Sequence, residues 1–234
     1  MSVDYQYENG IAQITIDDGK VNAMSAGLFS QINAALDKAE NDKTITIMSG
    51  REGIFSAGYD LGELLAGPES ALQILRDGAA LCLRLLQFPY PVIAACTGNA
   101  YPMGAFILMS CDYRIGCSGE FKLGMNEVRI NITPPLYALE VARGRLHPAY
   151  LNRTVVTGEM FSPQDSVNAG ILDEVVEIAE LPARAMAVAE DFKSIGAANH
   201  ADTKLRLRAN WIKAIEDTAD TELVIENIRQ MFGQ

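Results

Sequence analysis

Hydrophobic positions alternate with polar ones at the start of the chain, then shift to a helical spacing, and the same shift recurs downstream. "VDYQYENGIAQITID" has period-two patterning on both sides of Asn9-Gly10, a dipeptide that accepts positive φ in a two-residue turn, and this predicts a β-hairpin. In "SAGLFSQINAALDKAEND", Leu28, Ile32, Ala35, Leu36 and Ala39 share one helical face, and "TITIMSG" follows as a short buried strand. A second helix is predicted over "ESALQILRDGAALCLRLLQF", leading through Pro89 and Pro91 into the apolar strand "VIAACTG". "GNAYPMGAFILMSCD" then opens a helix with Pro102 at its first position, where a fixed φ fits and the missing N–H would be unbonded anyway. "DYRIGC" and "EFKLG" read as further strands. "TVVTGEMFSPQDSVNAGILDEVV" reads as strand, helix with Ser162 as N-cap, a stop at Gly170, and strand. From about Leu181 the spacing is helical to the end, a candidate docking or oligomer element that carries the sole tryptophan, Trp211. Strands alternating with helices predict an α/β fold with largely parallel pairing.

Composition narrows the partners. With 234 residues and 49% hydrophobic content the chain suffices for one sizeable core. A net charge of −11 argues against general attraction to nucleic acid or an anionic membrane, so an anionic ligand must be met by local positive charge. Lys20 and the "KLRLR" stretch (Lys204, Arg206, Arg208) are the candidates for phosphate contacts. The first residues lack a basic segment followed by an apolar one, and no run is long and clean enough to span a bilayer, so a cytoplasmic protein is expected. Cys82, Cys96, Cys111 and Cys117 lie in apolar runs without CxxC spacing, and His147 and His200 are the only histidines. Reduced, buried thiols and structural histidines are expected, and a zinc site is not.

Two stretches carry candidate chemistry, and both offer backbone rather than side chains. Behind Pro102, the amides of Met103 and Gly104 point out of a helix start without intrahelical partners, a place suited to negative charge. In "IFSAGYDLGEL", Asp60 and Glu63 have capping-box spacing, and Ala57-Gly58 lets the backbone bend close to a ligand and present the Tyr59 N–H. Two such amides converging on one oxygen would form an oxyanion hole. "IFSAG" is one residue from a serine nucleophile elbow, but Ile54 stands where that elbow needs glycine. Nucleotide-binding GxGxxG and GxxxxGK[ST] patterns are absent from the sequence.

Taken together, "VNAM", "FSAGYDL", "GNAYPMGAFILMSCDYRI", "LGMNE" and "TGEMFSPQDSVNAGILDEVV" resemble the crotonase superfamily, the enoyl-CoA hydratases and isomerases, over nearly the whole chain. The resemblance implies a spiral of ββα units over residues 1–180 that holds an acyl-CoA site, and a C-terminal helical region, 181–234, at subunit contacts of a homotrimer or homohexamer. It implies that the Tyr59 and Met103 N–H groups hold the thioester oxygen, with CoA as part of the substrate and no separate cofactor. Lys20, Ala23, Met24 and Ala57 are the candidate contacts to the CoA portion, with Ala23 and Met24 on its adenine side. Hydratases of the family carry two glutamates. Here the second is present as Glu127, whereas Phe106 occupies the position of the first.

One carboxylate suits a proton shift between two carbons, while hydration calls for both protonation and water activation. "PMGAFILMSCDYRI" and "GMNE" look most like the Δ3,Δ2-enoyl-CoA isomerases, which implies Glu127 as the base. An aromatic ring at 106 is expected to raise the Glu127 pKa by desolvation and to shape the pocket with Asn126. Met103 and Ala105 depart from positions where relatives often carry glycine, and Met103 is expected to narrow the acyl pocket. Asn131 likewise replaces a glycine, a change its tolerance of positive φ allows. A hydratase, another crotonase reaction, and a non-catalytic acyl-CoA-binding protein are the alternatives.

Overall fold

In the computed structural model, which describes residues 2–231, the chain starts with β1 (Val3–Glu8) paired antiparallel to β2 (Ile11–Ile16). Asn9 at φ 52° and Gly10 at φ 76° close the two-residue turn between them. Helix α1 (Ala26–Asn41) starts at Ser25, whose hydroxyl accepts the Leu28 N–H, and its buried face contains the five residues expected from their spacing. Then follow β3 (Ile45–Ser49), β4 (Gly53–Ser56), α2 (Leu61–Leu64), α3 (Pro68–Gln87), β5 (Val92–Cys96), β6 (Gly98–Ala100), α4 (Pro102–Ser110), β7 (Tyr113–Cys117) and β8 (Leu123–Gly124). A 3₁₀ turn, Glu127–Ile130, precedes α5 (Leu136–Arg145), α6 (Pro148–Val155), β9 (Met160–Phe161), α7 (Pro163–Ala169) and β10 (Glu174–Val176). The chain ends in α8 (Leu181–Phe192), α9 (Ala197–Glu222) and α10 (Ile225–Met231).

Successive strands are dealt to two sheets. β3, β5 and β7 join a six-stranded sheet of order β1-β2-β3-β5-β7-β10, parallel except at the hairpin. The strand after each of them, β4, β6 or β8, joins a four-stranded sheet completed by β9. Each strand–strand–helix repeat therefore advances both sheets by one position, which is the expected spiral. Both faces of the larger sheet are covered, as parallel pairing requires. Ile45 and Ile47 face α8 through Ala185 and Val188, while Met48, one residue out of phase, joins the main core under α1, α3, α4 and α5.

The sequence reading differs from the structure at "TVVTGEM", expected as a strand. Helix α6 runs through Val155, and only Met160–Phe161 pair. Pro148 opens the helix, His147 Nδ1 accepts the Ala149 N–H at 3.4 Å, and the Thr154 hydroxyl donates to Tyr150 O at 2.9 Å. These local bonds override the β-branched run. The four thiols are buried and free, and burial pushes Cys82, Cys96 and Cys111 up to about 12 and Cys117 to about 11, which leaves them unreactive.

The C-terminal helices are built into the core. α8 caps the large sheet, α9 packs on α3 and α5, and Trp211 Nε1 donates to Glu140 O at 2.8 Å. The structure also corrects the "KLRLR" expectation. Lys204 and Arg208 are 5% and 8% exposed and turn inward to Asp112, at 2.8 and 2.9 Å, which also accepts the Val92 N–H at 2.8 Å. Helical spacing places 204 and 208 on the buried face and leaves Arg206 exposed. Neither buried cation is free for a phosphate. Asp112→Ala, which strands both of them, is expected to cost about 3–5 kcal/mol in denaturant unfolding.

Candidate active site

The first wall of the site is the bend after β4. Met24 N–H donates to Gly58 O at 2.8 Å, and Met24 O accepts the Asp60 N–H at 3.1 Å. This parallel bridge straddles Tyr59, so the N–H of Tyr59 itself faces the other way, out of the pairing. Gly58 sits at φ +93°, a conformation that a side chain would strain. Asp60 caps α2 by accepting the Glu63 N–H at 3.1 Å. Glu63 does not return the bond as a capping box would, because its carboxylate accepts the Ala26 N–H at 2.8 Å and thereby ties α2 to the start of α1.

The second wall is the start of α4. Tyr101 N–H donates to Ser56 O at 2.9 Å, which docks this helix on the end of β4. The first backbone bond of α4 runs from Ala105 N–H to Tyr101 O, at 2.9 Å, so the Met103 and Gly104 amides precede the helical ladder. The two walls meet closely: a Cβ placed on Gly58 would stand 3.7 Å from the Met103 nitrogen. At the far end of α4, Arg145 donates to Met109 O and Cys111 O, both at 2.8 Å, and complements the negative pole of the helix.

Between these walls opens a cavity of about 750 Å³, bordered by Ala57, Gly58, Tyr59, Tyr101 and Pro102, and by Asn126 and Glu127 from the 3₁₀ turn. Most of the remaining lining is aliphatic, from α2, α3, residues 130–135 and the C-terminal helices. Glu127 is the one acidic side chain among the described lining residues. It is 6% exposed, neither carboxylate oxygen has a protein hydrogen-bond partner, and burial pushes its pKa up to about 7. The turn that presents it is closed by Asn131 at φ 60°, and Asn126 O accepts the Arg129 N–H at 2.9 Å.

Of the candidate residues, the structure brings Tyr59, Ala57, Asn126 and Glu127 to one cavity. Met103 is not itself part of the lining: its side chain is fully buried in the core and does not narrow the pocket as expected, and its main chain directly follows Pro102, which does border the cavity. Phe106 is also corrected: it is fully buried and packs edge-on against Tyr137 at 6.2 Å, because α4 is enclosed on every side and position 106 faces α5. Its connection to the cavity is indirect, through the Tyr137 hydroxyl paired with that of Tyr59. Met24 acts by backbone, with its side chain buried. Lys20 and Ala23 border a separate cavity of about 340 Å³ whose wall includes Asp60.

Sequence reasoning missed Leu223 and Ile228, which line the main cavity from the C-terminal helices and are held there by Arg76 donating to Leu223 O at 2.7 Å. No local pattern marks them, because the contact joins distant parts of the chain. It also missed Asn22, whose side-chain amide donates to Ile16 O at 2.8 Å and Phe55 O at 3.2 Å, although "VNAM" had singled out its neighbourhood.

A model of the enoyl-CoA hydratase/isomerase family matches residues 6–229. The chain belongs to that family. An enoyl-CoA hydratase/isomerase family protein from Pseudomonas syringae is 41% identical, with a TM-score of 0.94 over 95% of this chain and 96% of that one. An enoyl-CoA hydratase from Mycobacterium marinum is 35% identical, with a TM-score of 0.91 over 97% and 98% of the two chains. The mitochondrial enoyl-CoA delta isomerase 1 of Rattus norvegicus is 29% identical over 191 residues, 80% of this chain and 66% of the relative. The match thus spans slightly under two thirds of the length of that curated relative. Both hydratases and isomerases of the family stand within this range, so the reaction rests on the site.

In a member of the family with Glu127 so placed, the folded state keeps a proton that the unfolded state has lost, between the ordinary 4.5 and about 7. Stability is therefore lost as pH rises through that window. Glu127→Gln is expected to raise the unfolding free energy at pH 8 by up to about 3 kcal/mol, with little change at pH 4, measured by denaturant titration at both.

Proposed function

We propose that the protein is an enoyl-CoA isomerase that moves a double bond from C3 to C2 of an acyl-CoA thioester. The observation that carries this reading is the solitary, buried, unpaired Glu127 in an aliphatic cavity flanked by two outward-facing main-chain segments. In this reading the Tyr59 and Met103 N–H groups hold the thioester oxygen while Glu127 takes a proton from C2. The negative charge that develops on that oxygen is met by fixed dipoles, each contributing roughly 3 kcal/mol to the transition state. Glu127 then returns the proton to C4. A group with a pKa near neutrality suits both halves of that transfer, since it neither holds the proton too tightly nor releases it too readily.

Hydration requires a second group to manage water, and the described lining holds no acidic side chain besides Glu127. The aliphatic walls from α2, α3 and the C-terminal helices suit an acyl chain. In this reading Lys20 and Ala23, which share the smaller cavity with Asp60, meet the CoA portion, which belongs to the substrate.

The test is a panel of 2-enoyl- and 3-enoyl-CoA thioesters with products separated by mass. Expected are 3-enoyl substrates converted without change of mass, and kcat/KM rising with pH to a plateau above about 7, as the carboxylate form of Glu127 fills. Glu127→Gln is expected to lower turnover by about 10³-fold or more while thioester binding persists. A product heavier by one water assigns the hydratase reaction instead, and binding without any turnover assigns a carrier.

A further inference from the structure

Both walls of the site are tied to one residue that has no place in the mechanism above, the first through its side chain and the second through its main chain. Ser56, the last residue of β4, is fully buried. Its hydroxyl donates to Asn22 O at 2.7 Å and accepts the Gly58 N–H at 3.1 Å, so it shapes the bend that turns Tyr59 outward. Its carbonyl accepts the Tyr101 N–H at 2.9 Å, one residue before α4. A Cβ on Gly104 would stand 2.9 Å from Ser56 Cβ and 3.1 Å from Ser56 O, so the first turn of α4 rests directly on this residue. Asn22 in turn is fully buried and anchored to β2 and β4. The serine is thus bonded to the bend before Tyr59 on one side and to the segment before Met103 on the other.

We propose that Ser56 is a positioning residue that sets the separation and aim of the Tyr59 and Met103 amides. The inference rests on the oxyanion reading of these amides. Removing the hydroxyl leaves the Gly58 N–H and Asn22 O buried without their partner and frees the bend to rotate. Misaiming a donor by a fraction of an ångström weakens its bond to the charged oxygen more than its contact with the neutral ground state, so the loss falls on the chemical step.

The experiment compares wild type, Ser56→Ala and Ser56→Cys by steady-state kinetics and by the carbonyl stretching frequency of a bound, unreactive acyl-CoA thioester. Wild type is expected to shift the stretch to lower frequency than in solution. In Ser56→Ala the shift shrinks and kcat falls about 10- to 100-fold, while KM changes by less than about threefold. Ser56→Cys, with a weaker donor of similar size, falls between them and carries the comparison if the alanine variant does not fold. A wild-type shift that persists unaltered in the variants, with unaltered kcat, overturns the role of Ser56 and leaves the oxyanion reading standing. A wild-type thioester that binds without any shift overturns both.

Discussion

The structure depends on two stretches of main chain, residues 56–60 and 101–104, held against each other with hardly a side chain between them. Such proximity is possible because Gly104 lacks a Cβ where it rests on Ser56 and Gly58 takes the positive φ that the bend requires, and the frame around them is held by backbone and hydroxyl bonds from Met24, Ser56 and Tyr101. Backbone groups in a rigid frame lose little freedom when a ligand arrives, which is what allows them to act as fixed dipoles. The spiral supplies that frame, since β4 and β6 are parallel neighbours and deliver their following segments to the same end of the small sheet.

Glu127 sits in conflict with the rest of the fold. A carboxylate with no partner in an aliphatic cavity is a poor contributor to stability at neutral pH, and the surrounding 3₁₀ turn holds it there with backbone bonds to its own carbonyl from Ile132. Among the described residues Glu127 is the one carboxylate with both oxygens buried and unpartnered, while the two cores around it are conventionally apolar. A buried, unpartnered ionisable group that borders a cavity is the usual mark of a working site.

Much of this was legible in the sequence because the signals were local. Asn9-Gly10, the α1 face, Pro102 and the Ser162 and Gly170 boundaries each act over a few residues, and the structure follows them. The motifs around Gly58 and Glu127 were equally readable, since their geometry is set by neighbours in the chain. What failed was non-local. Lys204 and Arg208 looked like free cations because Asp112, about ninety residues earlier, could not be seen beside them. Phe106 looked like a cavity wall because its distance from Met103 was visible and the packing of α5 was not. Ser56 lies in a pattern one residue short of a nucleophile elbow, yet burial gives its hydroxyl a scaffolding environment that composition alone does not reveal.

The participation of Leu223 and Ile228 in the cavity bears on the order in which the molecule is made. A ribosome releases the two main-chain walls and Glu127 before it releases α10, so a nascent chain carries that part of the cavity with its apolar wall open where Leu223 and Ile228 will lie. Synthesis of this segment is then also what closes the apolar wall of the cavity, and Arg76 on α3 fastens it through Leu223 O.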